Sequence, residues 1–167
     1  HTGGSPTDMR DFLLIKTNPN GDSLWVRTYS EVEDDGDLIT DLKVDSDQNV
    51  YVTGISRAVK WSNSNWSTLK YNAAGDQVWA RVYDFTNHND IPVGLYFDKT
   101  GNIVLGGTAS YQGSTGSDYA LVSYNTDGFV IDTCIYHGTL QEGCKAMAMD
   151  TSGNILLTGT WGGGWYF

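Results

Sequence analysis

The stretch from Val44 to Gly54 reads V-D-S-D-Q-N-V-Y-V-T-G. It returns from Phe97 to Gly107 as F-D-K-T-G-N-I-V-L-G-G and from Met149 to Gly159 as M-D-T-S-G-N-I-L-L-T-G. Each copy is an apolar residue, an Asp, a turn, an Asn, a short mostly apolar run and a closing Gly. The Asp stands at 45, 98 and 150, so the period is 53 and then 52 residues. A turn between two apolar runs predicts a tight β-hairpin, with the Asp bonding its own backbone and the Gly closing the second strand.

A second marker keeps the same step. Asn18 to Gly21, Asn72 to Gly75 and Asn125 to Gly128 are Asn-x-x-Gly turns, each preceded by a run of strand-forming residues. Trp25 and Trp79 follow four residues after their Gly, and Tyr29, Tyr83 and Tyr136 four residues later again. Each period therefore holds two hairpins. In the second period the strands are expected at 37–45, 49–56, 65–72 and 77–84. Four antiparallel strands in about 50 residues predict an all-β chain of β-propeller blades. The chain divides into a half blade (1–30), two blades (36–84 and 90–137) and a partial blade (142–167), about three in all. A closed propeller needs about four or more, so the ring would be completed by further blades of the same polypeptide or by other copies. The chain starts at His1-Thr2-Gly3, which matches the end of a repeat, and stops at Trp165-Tyr166-Phe167, inside an expected strand. It reads as an internal piece of a longer polypeptide.

Composition agrees with this. There are 20 Gly, 10 Tyr and 6 Trp among 167 residues, and no window keeps a helical apolar period. The formal net charge of −10 repels phosphate backbones and argues against nucleic-acid binding. No stretch is long and apolar enough for membrane insertion as a helix.

The repeat resembles the bacterial β-propeller repeat family of the SBBP type. Asp11, Lys16, Asn18, Gly21, Trp25, Arg27, Tyr29, Asp37, Asp45, Asn49 and Gly54 carry the likeness in the first copy. The third copy departs from it, with Ser123 for the Lys, Asp132 for the Trp and Cys134 for the Arg. The resemblance implies a secreted or cell-surface protein and no shared catalytic activity.

Candidate functional residues lie at the opposite end of the strands from the Asp turn. Asp37, Asp90 and Glu142 are in register, each eight residues before the repeat Asp. They could ring one mouth and hold a cation or polyol, or tie down the preceding loop. Trp61, Trp161, Trp165 and Tyr111 fall in the connections on the same end, where indoles beside polar groups suit sugar rings. The ligand expected there is a glycan or a protein. His88 and His137 fall in equivalent loops without a nucleophile nearby. Asp41 and Lys43 interrupt the small-residue face of the first inner strand, where they pair locally or line a channel.

No cofactor is expected. The turn Asp45–Asn49 is rich in oxygen but lacks the twelve-residue loop and late Glu of an EF-hand-type calcium site. Cys134 and Cys144 sit ten residues apart at the two ends of one inter-strand loop. A disulfide between them would add about 2–3 kcal/mol; two free thiols are the other reading. The chain is expected to be a non-catalytic binding or adhesion module. The alternative is a purely structural or assembly repeat, and a glycoside hydrolase or lyase comes third.

Overall fold

The computed structural model describes residues 11–30, 36–57, 63–85, 88–110, 116–138 and 140–162. They form twelve strands and no helix. The first sheet pairs β1 (Phe12–Thr17) with β2 (Ser23–Tyr29). The second runs β3 (Leu38–Val44), β4 (Val50–Arg57), β5 (Ser64–Tyr71) and β6 (Gln77–Tyr83) side by side. The third repeats that order with β7 (Ile91–Phe97), β8 (Ile103–Ser110), β9 (Ser117–Tyr124) and β10 (Val130–Tyr136). The fourth holds β11 (Glu142–Met149) and β12 (Ile155–Trp161). All pairings are antiparallel, and the strands of the second sheet fall within a residue of their expected bounds.

The turns are closed by their own side chains. Asp45 Oδ1 accepts the backbone N–H of Asp47 at 2.9 Å and of Asn49 at 2.8 Å, while Asn49 Nδ2 donates to Oδ2 at 2.8 Å. Asp98 and Asp150 repeat the pattern with Asn102 and Asn154. Burial works to raise the Asp45 pKa, but the bonds from Asn49, Asp47 and Tyr51 outweigh it and hold the carboxyl below its ordinary value. The turn also needs one residue at positive φ. Gly101 (84°) and Gly153 (93°) supply it in two copies, whereas Gln48 (65°) bears the cost of a side chain in the first.

The closing Gly of the repeat lies inside a strand rather than at its end. Gly54 is the fifth residue of β4, opposite a bulge between Ile39 and Asp41. The same bulge recurs between Pro92 and Gly94, and between Cys144 and Ala146. A Cβ on Gly107 would stand 2.2 Å from Ile91 O and 2.6 Å from the Trp66 ring. On Gly54 it would meet Leu38 O at 2.2 Å and the Phe12 ring at 2.7 Å. The bare backbone lets an aromatic from the preceding sheet lie flat on the strand.

Two apolar clusters join the sheets. Phe12 and Leu14 pack on Val50, Val52, Leu69 and Tyr71, with Trp25 and Tyr29 at the margin. Tyr51, Trp66 and Trp79 pack on Leu95, Ile103, Leu105, Val122 and Tyr124. Both faces of the second sheet are therefore covered, which is why β4 and β5 are buried along most of their length.

Around these clusters a polar clasp repeats. The Trp25 ring covers Gly75, Trp25 Nε1 donates to Ala73 O at 3.4 Å, and Arg27 Nε donates to Gly75 O at 2.6 Å. One sheet on, the Trp79 ring covers Gly128, Trp79 Nε1 donates to Thr126 O at 3.1 Å, and Arg81 Nε donates to Gly128 O at 2.8 Å. Lys16 and Lys70 add a bond each, to Ala73 O and Thr126 O. The third copy has no such clasp: the Asp132 carboxylate accepts the next N–H on its own strand, from Thr133 at 2.8 Å.

Two substitutions separate these roles. Gly107→Ala should lower the unfolding free energy by about 1–3 kcal/mol, because the Ile91 carbonyl cannot move aside without breaking the bulge. Gln48→Gly should raise it by about 0.5–1 kcal/mol by relieving the positive φ. Urea unfolding followed by tryptophan fluorescence reads both.

Candidate functional site

The three acids expected at one mouth all stand at the start of, or just before, an inner strand: Asp37 before β3, Asp90 before β7, and Glu142 as the first residue of β11. All three are buried, which turns their carboxyls toward the chain. Asp90 is fully enclosed. Its Oδ2 accepts the N–H of Phe85 at 2.8 Å and its Oδ1 the N–H of Ser110 at 3.0 Å. Its own N–H donates to Ser64 O at 2.7 Å, and Ser64 N donates to Asn89 Oδ1 at 3.0 Å. One carboxylate thus fastens the connection ahead of β7 to the ends of β8 and β5. Burial pushes the Asp90 pKa up to about 6, against the pull of the Phe85 and Ser110 bonds; Asp84 adds to the rise and His88 opposes it. A ligand in solvent meets none of this carboxyl, so the loop-tying role replaces the ligand role for Asp90.

Glu142 sits in a different setting. Asp118, at the start of β9, is buried and accepts the N–H of Gly138 at 3.3 Å; its Oδ2 lies 2.8 Å from His137 Nδ1. The Glu142 pKa is raised, first by burial and then by a hydrogen bond and charge repulsion from Asp118. A Cβ on Gly138 would overlap the Glu142 carboxyl, so the chain passes directly over it. Ser117 Oγ donates to Glu142 O at 2.6 Å, as Ser64 Oγ does to Asp90 O at 3.3 Å. The sequence reading missed Asp118. The only signal was its Asn at the matching position 65, a change from amide to acid that a pattern of turns does not weigh. This acid pair with an imidazole on its outer side stores a proton; no nucleophile stands beside it among the described residues.

Trp161 is the one expected aromatic among the described residues; Trp61, Trp165 and Tyr111 lie outside them. It ends β12 directly opposite Glu142 and is 67% exposed. Its counterparts in the complete sheets, Ser56 and Ala109, are buried. The exposure of Trp161 therefore comes with the open edge of a two-stranded sheet.

Asp41 and Lys43 pair with each other at 2.9 Å. Asp41 Oδ2 also accepts the N–H of Leu95 at 3.0 Å, and Lys43 Nζ lies 5.3 Å from the centre of the Tyr96 ring. They bridge β3 to β7 rather than standing free.

The expected disulfide is not formed. Cys134 and Cys144 are both free thiols. Cys134 stands on the outermost strand of the third sheet opposite Leu121, and Cys144 on the inner strand of the fourth opposite Gly159. The Cys144 thiol faces the carbonyls of Ala146 and Thr158, and Thr108 Oγ accepts its backbone N–H at 2.9 Å. The two ends of the connecting loop diverge to opposite margins of adjacent sheets. Among the described residues no three His, Cys, Asp or Glu side chains converge as metal ligands.

No protein-family profile matches the chain, and no curated protein matches it.

The buried acid has a measurable consequence. Asp90 binds its proton more tightly folded than unfolded, so the native state holds more protons between the ordinary carboxylate value and about pH 6. Its contribution to stability is full below that window and is lost as pH rises through about 6. Stability profiles from chemical denaturation should show a fall from about pH 4 to 6 that is shallower in Asp90→Asn, with Glu142 carrying the remainder. Equal slopes in the two proteins would rule out the assignment.

Proposed function

We propose that the chain is a run of β-propeller blades serving as a non-catalytic assembly module of a secreted or cell-surface protein. The observation that carries this reading is the contact series along the inner strands. β3 touches β7 and β7 touches β11. Asp41 reaches across the first of these joints to Leu95 N, and Tyr96 Oη donates to Met147 O at 3.2 Å across the second. First strands of successive sheets that stay adjacent, while outer strands are held by the Trp–Arg clasp, fit sheets arranged about an axis. The likeness of the repeat to the SBBP type points the same way, and supports the secreted or surface setting.

Assembly is preferred to ligand binding because the acids meant to line the mouth are enclosed. Asp90 spends both carboxylate oxygens on backbone N–H groups. Trp161 lies on an open strand edge, which is a surface for protein pairing. The second reading is a glycan-binding or adhesion surface, favoured by the exposed indole of Trp161 beside polar neighbours.

A glycan array probed with the labelled chain separates the two. The assembly reading expects a blank array for the wild type and for Trp161→Ala. Saturable binding of any glycan that disappears in Trp161→Ala would transfer the function to adhesion.

A further inference from the structure

The fourth sheet stops at its second strand. Within the second and third sheets, β4 and β8 each pair on both sides, whereas β12 pairs with β11 alone among the described residues. Beside it lies a cleft of about 240 Å³ lined by Tyr119, Leu121, Tyr136, Ile155 and Leu157. The equivalent space between the second and third sheets is filled from β9, by Ala120, Val122 and Tyr124. The cleft continues outward the packing that β11 already makes on β7, β8 and β9.

The first sheet is the complementary half. By repeat position β1 and β2 correspond to β5 and β6, the third and fourth strands of a complete sheet. One face, with Phe12 and Leu14, is buried on the second sheet. The other is bare and apolar: Leu13 is 53% exposed, Ile15 50% and Val26 47%. Leu13 and Ile15 occupy the positions of Ala120 and Val122, the residues that fill the equivalent space. The chain cannot fill its own cleft, because the second and third sheets stand between β1–β2 and β11–β12.

We propose that the β1–β2 hairpin of a second copy adds to the free edge of β12. The register follows from β4–β5, where Ile55 faces Trp66 and Val50 faces Tyr71. Phe12 then stands opposite Thr160, Leu14 opposite Thr158 and Ile15 opposite Leu157, with Leu13 and Ile15 turned into the cleft. Each chain brings two four-stranded sheets and two complementary halves, so two chains joined head to tail at both ends close a ring of six sheets. Each joint buries on the order of 1,000 Å², and the two together exceed the roughly 1,600 Å² of a standard stable interface. The joint lacks the clasp. Asp132 and Cys134 stand where Trp and Arg close the other joints, and a Cβ on Gly21 would meet nothing within 4 Å. Association is therefore reversible and concentration-dependent. The inference rests on the arrangement about an axis proposed above and names the partner in it.

Sedimentation equilibrium of the 167-residue chain across a hundredfold range of concentration tests it. The mass should move from 18.3 kDa to twice that value and stop there. Leu13→Asp with Ile15→Asp, both on an exposed face, should leave the monomer folded by circular dichroism and weaken association at least tenfold. Mixing Ile15→Cys chains with Leu157→Cys chains, both in a Cys134→Ser, Cys144→Ala background, should give an interchain disulfide that neither forms alone. A monomer at every concentration, a ladder of larger species, or a dimer indifferent to the Asp pair would each overturn the proposal. A monomer would remove the second copy as occupant while leaving the packing of β3, β7 and β11 as it is, and a blank glycan array has no bearing on it.

Discussion

Everything in this molecule depends on two strands from which a methyl-sized volume is missing. At Gly54 and Gly107 the position of a Cβ is already taken by a carbonyl of the inner strand and by the ring of Phe12 or Trp66. The bulge in the inner strand brings that carbonyl in, and the aromatic closes over the gap from the preceding sheet. Steric exclusion fixes the distance between sheets more sharply than apolar attraction does, because attraction alone has no direction. Once the distance is set, the Trp and Arg of each outer strand reach the next turn at hydrogen-bonding range.

The acids of the inner strands follow the same economy. Asp90 lies under loops that cross from one sheet to the next, where backbone N–H groups would otherwise be buried without acceptors. Enclosing a carboxylate is costly unless donors surround it, and Phe85 and Ser110 provide them at the expense of a raised pKa. The Asp118–Glu142 pair meets the same need differently, sharing hydrogen bonding between two carboxyls with His137 alongside. Rigid connections between sheets are the common result.

Much of the fold was legible in the sequence because it is written in period. Asp45, Asp98 and Asp150, with their Asn partners, announce hairpins through local chemistry that needs no knowledge of neighbours. The strand order inside each sheet follows from those hairpins. Gly54 was harder: as a sequence symbol it resembles a strand terminus, and only the bulge opposite reveals close approach. The site was legible in position but not in role. Asp37, Asp90 and Glu142 do gather at one end of the inner strands, yet burial decides whether an acid meets ligand or backbone, and alternation does not encode it at a strand end. Cys134 and Cys144 failed for a related reason, since ten residues of separation say nothing about two strands that leave for different sheets.

The clasp has one further property. Trp25, Arg27 and Lys16 bond only to main-chain oxygens, those of Ala73, Ala74 and Gly75, and Trp79, Arg81 and Lys70 only to those of Thr126, Asp127 and Gly128. No side chain of the receiving turn is read apart from its glycine. The residues between Asn and Gly differ in each turn, Pro19-Asn20, Ala73-Ala74 and Thr126-Asp127, without affecting the grip. Gene duplication can therefore insert, delete or reorder such units without compensating changes next door, and the surface of each turn is left free to diverge.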